Sequence, residues 1–266
     1  MLLPQKARSS CDVGKPRSAS ALLPAPYKSM ADAPSAETAR LVELLTGDAE
    51  ARQRAYAELE SADMGVAAAP AVVDALVDGV LCSAQVEAAE YRQVCALMAG
   101  YMFREENSFI LEMVRSKRWV RAFEAPALLA AAGRPPAEMT RDDALTVAAD
   151  SSILMMIARG WARTHDAAGV DELASVFELA SHPLYPERAA ANPGGNERLI
   201  VLALEICRDP QGLSERQLAG VWNCLFLLVT QRAELGAAAA KGGIFDAAAA
   251  ELRELEHCAS LVQMIG

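Results

Sequence analysis

The sequence predicts an all-α fold, and three observations carry that prediction. Apolar residues recur at helical rather than alternating spacing along most of the chain. Alanine supplies much of the apolar content while aromatic residues make up only 5% of the chain, and alanine enters a helix without losing side-chain entropy. Strand-type runs rich in Val, Ile and Thr are absent. Leu218 to Leu255 shows the pattern most clearly. Ser214 with Gln217 forms a capping-box signal, after which Leu218, Val221, Trp222, Leu225 and Val229 recur at helical spacing. A short alanine-rich helix follows, then Gly242-Gly243, which can supply the left-handed turn that ends a helix. Ile244, Phe245, Ala248, Ala249 and Leu252 restart the apolar period.

The other elements follow in order. Ser35 caps a helix bearing Leu41, Val42, Leu44 and Leu45, stopped by Gly47. Asp48 caps a second, with Ala51, Ala55, Tyr56 and Leu59 inward, and Asp63–Gly65 reads as a turn. Pro70 suits a helix start, and Val72, Val73, Leu76, Val77, Val80 and Leu81 form an apolar stripe. A helix from about Ala84 to Phe103 buries Val94, Leu97, Met98, Tyr101 and Met102. Asn107 or Ser108 caps the next, with Phe109, Ile110, Met113 and Val114. Pro135-Pro136 interrupts the helices over residues 132–140. Thr140 opens a long helix with Leu145, Ile153, Met156, Ile157, Gly160 and Trp161 inward, and a shorter one follows Gly169. Residues 181–196 form the longest break, and Leu199, Ile200, Ala203, Leu204 and Cys207 mark the helix after it.

The formal charge of −10 is unevenly placed. Lys6, Arg8, Lys15, Arg17 and Lys28 against Asp12 give residues 1–29 a charge of +4, leaving −14 on the remainder. So acidic a folded part repels phosphate backbones, which argues against generic nucleic-acid binding. Residues 1–34 read as a disordered, basic, Ser/Pro-rich leader and 35–266 as the helical domain. The leader lacks the apolar run of a secretory signal; it is a tail, translation upstream of a start at Met30, or an organelle transit peptide. No stretch reaches the roughly 18 apolar residues of a membrane span. Six cysteines (11, 82, 95, 207, 224, 258) without a Cys-x-x-Cys pair read as free thiols in a reducing compartment. The expected location is cytoplasmic, or an organelle if residues 1–29 are a transit peptide.

An internal echo refines the fold class. Asn107–Val120 and Arg232–Phe245 share one pattern, and each follows a long apolar helix. Here the sequence resembles the armadillo superfamily, whose unit is a short helix, a Gly-hydrophobic turn, a second helix and a longer third one. Glu234–Lys241, Gly243-Ile244 with Phe245–Leu255, and the preceding Ser214–Gln231 are similar to these parts, as is Leu41–Leu59 to the second-to-third helix passage. The resemblance implies a right-handed superhelix of stacked helices. In peptide-binding members the third helices line a groove with a Trp and an Asn four residues later. Trp222 matches the Trp, but Phe226 stands where Asn would be, and Leu97 and Tyr101 hold the earlier pair. The resemblance therefore does not extend to importin-type recognition of basic nuclear signals.

No pattern of catalytic or metal-ligating residues emerges. The three histidines (165, 182, 257) are far apart, and His165-Asp166 lacks the upstream histidine a metal phosphohydrolase needs. Asp142-Asp143 reads as helix-start acids, and Pro193-Gly-Gly-Asn196 as a turn, since no Gly-Lys-Ser/Thr follows it. Glu251, Glu254 and Glu256 read as a solvated face. The expectation is a non-enzymatic adaptor that needs no cofactor or metal and binds a protein or peptide segment, with Leu97, Tyr101, Trp222 and Phe226 as partner contacts. His182, Tyr185 and Arg188 in the long loop are a further candidate surface. Two alternatives stand beside it: a structural subunit docking through apolar Leu261, Val262 and Ile265, and a helical enzyme with an unrecognised site.

Overall fold

The computed structural model describes residues 35–101, 108–116, 119–164, 192–231 and 233–254, all in the unit that begins at Pro34. Every regular element in them is helical. The first are α1 (Ala36–Leu45), α2 (Ala49–Ser61), α3 (Met64–Ala67) and α4 (Pro70–Asp74), which runs directly into a π-helical segment, Ala75–Leu81. Then come α5 (Ala88–Tyr101), α6 (Ser108–Ser116), α7 (Trp119–Ala122), α8 (Pro126–Ala132) and α9 (Arg141–Thr164). The last are α10 (Gly195–Arg208), α11 (Glu215–Gln231), α12 (Ala233–Lys241) and α13 (Ile244–Glu254).

Side-chain caps set the starts, as the sequence predicts. Ser35 Oγ accepts from the Thr38 amide at 3.1 Å and Asp48 Oδ1 from the Ala51 amide at 2.9 Å. Thr140 and Asp143 cap each other at α9, with the Thr140 amide donating to Asp143 Oδ2 at 2.8 Å and the Asp143 amide to Thr140 Oγ1 at 3.2 Å. Ser214 and Gln217 do the same at α11, at 2.9 and 3.3 Å. Each reciprocal pair satisfies amides that have no intrahelical acceptor. Gly194 and Gly243 sit at φ 82° and 83°, where a side chain would be strained. The Pro193–Asn196 turn thus leads into α10, and Gly243 separates α12 from α13.

Four helices form the spine of the packing. α2 packs on α5, α5 on α9, and α9 on α11, in chain order, and the first turns of α11 also reach α5. The shorter helices pack beside them: α1 and the α4–π helix against each other, α8 against α9, and α10 against α9, α11, α12 and α13. Leu41, Leu45, Leu59, Leu76, Val94, Met98, Phe109, Met113, Ile153 and Leu225 are fully or almost fully buried along this spine. So are Leu199, Ile200, Ala203, Leu204 and Cys207 on α10, as their spacing predicts.

Several expectations are corrected. The Asp63–Gly65 turn is the start of α3, because Asp63 Oδ1 accepts from the Gly65 amide and caps one helical turn. α5 begins at Ala88 rather than near Ala84, since Ser83 Oγ holds the Gln85 amide in a turn. Phe245, expected inward with Ile244, is 66% exposed, whereas Ile244 and Ala248 are buried. The π-helical segment carries no sequence signal we read. The helix expected after Gly169, the surface at His182, Tyr185 and Arg188, all three histidines and the Leu261–Ile265 segment lie outside the described residues, and Met156, Ile157 and Trp161 have no described side chains. Among the described residues no helix is long and apolar enough to cross a membrane.

Candidate functional site

The polar groups that join the spine helices determine which surface remains for a ligand. Between α2 and α5, Arg52 forms a bidentate pair with Glu90 at 2.7 and 2.9 Å. Tyr56 donates to the same carboxylate at 2.7 Å, and Arg52 Nη1 reaches the Gly47 carbonyl at 3.1 Å. Hydrogen bonds from Arg52, and secondarily from Tyr56, hold the Glu90 carboxyl below the usual glutamate range against the opposing effect of burial. Gln53 and Gln93 exchange amide hydrogen bonds at 2.9 and 3.0 Å nearby.

Between α5 and α9 the link is buried. Tyr91, fully enclosed, donates to Asp150 Oδ1 at 2.9 Å. Burial pushes the Tyr91 hydroxyl and the Cys95 thiol well up, and the Asp150 carboxylate adds to both shifts. Burial also pushes Cys224 on α11 up to about 12. These groups therefore stay protonated at neutral pH, and neither thiol is an activated nucleophile. Cys82, Cys95, Cys207 and Cys224 form no disulfide among the described residues.

Where α11 meets α9 the contact is backbone-close. A Cβ at Gly220 would lie 2.8 Å from Ser152 Oγ and 3.1 Å from the Ala148 carbonyl oxygen. Small residues on three neighbouring helices (Ala96, Ala149 and Gly220) leave a narrow slot flanked by Arg92, Leu145, Ser152, Arg216 and Gln217. The slot shares Ala96, Arg216 and Gln217 with an open cleft of about 540 Å³, further lined by Glu60, Ala89, Gln93, Leu97, Ser214 and Glu215. Together they form a trough with small residues at its floor and amides and charges at its rim. Arg92 is tied to Asp142 at 3.7 Å and to the Thr146 hydroxyl at 3.2 Å. Arg216 lies over α5 at Gly100, where a Cβ would come within 2.7 Å of its Nη1.

The predicted contact residues sit differently. Leu97, Tyr101 and Trp222 are buried, at 5%, 1% and 1% exposure. Tyr101 packs on Phe109 with ring centroids 4.8 Å apart and donates to the Leu59 carbonyl at 2.9 Å. Trp222 is enclosed so fully that its Nε1–H finds no acceptor among the described residues. These three serve the core, because their large apolar surfaces gain more from packing than from solvent. Phe226 is half-buried, and of the four only Leu97 touches the trough. Arg92, Gln93, Ala96, Arg216, Gln217 and Gly220 were missed. Their available signal was an arginine followed four residues later by a small residue, at Arg92/Ala96 and again at Arg216/Gly220, which stacks the pair on one helix face.

Among the described residues no group of three or more His, Cys, Asp or Glu side chains is placed to hold a metal ion. No protein-family model, no curated protein and no solved structure matches this chain.

Proposed function

We propose that this chain is a non-enzymatic protein-binding scaffold of armadillo-like construction, whose trough holds an extended peptide segment of a partner. The observation that carries the reading is the open cleft of about 540 Å³ lined by α2, α5 and the start of α11. The side-chain amides of Gln93 and Gln217 and the Arg216 guanidinium in its lining suit a peptide backbone, which presents a donor and an acceptor at every residue. Its small side chains, Ala89 and Ala96, let that backbone approach closely. The chain-order packing of α2, α5, α9 and α11, with shorter helices between them, supports a stacked superhelix of the kind the resemblance implies. The free cysteines accord with a reducing compartment, such as the cytoplasm.

Selection of peptides on the full chain from a random display library, followed by counter-screening against Ala96→Trp, tests the proposal. Ala96 is half-exposed on the trough floor, so the indole fills the cleft without entering the core. Circular dichroism confirms that the variant folds. Selected peptides should lose at least about tenfold in affinity for it; peptides that bind both forms equally would refute the trough as the binding surface.

A further inference from the structure

We infer that the segment seated in the trough is an otherwise neutral peptide carrying one Asp or Glu side chain, which docks on Arg216. The inference rests on the proposed peptide-binding role and adds the chemistry of the partner. Of the trough's two arginines, Arg92 is committed to Asp142 and Thr146. Arg216 has no hydrogen bond or ion pair among the described residues. It stands in the first turn of α11, where the helix dipole disfavours a cation.

Its guanidinium is exposed, yet it lies against backbone. It rests against α5 at Gly100, with Nη1, Cζ and Nη2 at 2.7, 2.9 and 3.3 Å from where a Cβ would be. Any side chain at residue 100 would displace it. A planar, five-donor group resting on backbone gives up less freedom when a carboxylate closes a two-pronged pair on it. Of the trough's carboxylates, Glu60 is already engaged in an interaction of its own. Glu215 lies about 100° round the helix from Arg216. The net charge of −10 opposes a polyacidic ligand at long range, which is why a single carboxylate in a neutral segment fits best.

The test uses the full chain and a peptide selected on it that is lost on Ala96→Trp. That peptide and its carboxylate-to-amide counterpart are titrated calorimetrically onto wild type, Arg216→Gln and Gly100→Ala. On wild type the amide peptide should bind about tenfold or more weakly, the scale of a charge-assisted pair. On Arg216→Gln the two peptides should bind alike. On Gly100→Ala, which keeps the charge but moves it, the carboxylate advantage should shrink. Trough-dependent peptides that lack acidic residues, or whose carboxylate is indifferent to Arg216→Gln, would overturn the inference and leave the trough reading intact. If no selected peptide depends on the trough, both fall.

Discussion

Gly220→Ala is the substitution on which the α9–α11 packing makes its sharpest prediction. In an exposed helix interior this change gains up to about 1 kcal/mol from propensity. Here the new methyl would stand 2.8 Å from Ser152 Oγ and 3.1 Å from the Ala148 carbonyl oxygen. Ser152 is itself buried, and the Ala148 oxygen is backbone within α9, so neither can swing aside as a surface side chain would. Forcing an extra methyl into such a contact costs about 1–3 kcal/mol. The net result is a loss of about 1 kcal/mol, which for a domain of this size lowers Tm by about 2–4 °C. Gly100→Ala is the matched control. The atoms facing it are the far end of a flexible, exposed arginine, so the propensity gain survives and Tm stays level or rises. Adding Ser152→Ala to Gly220→Ala relieves the hydroxyl contact but not the carbonyl one, and recovers part of the loss. Differential scanning calorimetry reads all three. A Gly220→Ala protein as stable as wild type would refute the close approach of α9 and α11.

Three further outcomes follow from the spine's polar links and from the burial of the cysteines. Glu90→Gln leaves a nearly buried Arg52 without its charge partner and should cost about 2–3 kcal/mol in urea denaturation at pH 7. Because Glu90 is held below the usual carboxylate range when folded, its contribution is complete above about pH 5 and lost as pH falls through the depressed value. The stability gap between wild type and Glu90→Gln should accordingly narrow toward pH 3. Tyr91→Phe removes the buried donor to Asp150 and should cost about 1–3 kcal/mol, more than a surface Tyr→Phe change measured in the same denaturation series. In a Cys11→Ser/Cys258→Ser background, a maleimide reagent should modify half-buried Cys82 first, although burial raises its pKa as well. Cys95 and Cys224 should react only on unfolding, which mass spectrometry of labelled peptides distinguishes.

Helices with a cap and an apolar stripe were legible from the sequence almost to the residue. Ser35, Asp48, Thr140 and Ser214 each hold the cap their position implies, because capping is local chemistry. The composition of Ala84–Val86 permits a helix, and the competing Ser83 side-chain bond carries no periodic signal. Period alone puts Phe245 inward, yet the helix turns Ile244 and Ala248 to the core and leaves Phe245 outside. The trough was illegible for a different reason. Its floor is made of residues distinguished by what they lack, and alanine is everywhere in this chain. The large aromatic groups that attract the eye, Tyr101 and Trp222, are large because the core needs them. Which arginine would be left over after Arg52 and Arg92 found carboxylates was a question of pairings 38 and 50 residues apart in sequence, visible only once the helices are set side by side.

Hydrogen–deuterium exchange of the full chain with and without a selected peptide tests the account at its centre, since it locates the bound segment without presuming where it sits. The account predicts slower exchange in the peptides covering 89–97 and 214–220, the two sides of the trough, with α10 and α13 unchanged. Protection confined to α10 and α13, around exposed Val201 and Phe245, would place the partner on the other set of helices and contradict it.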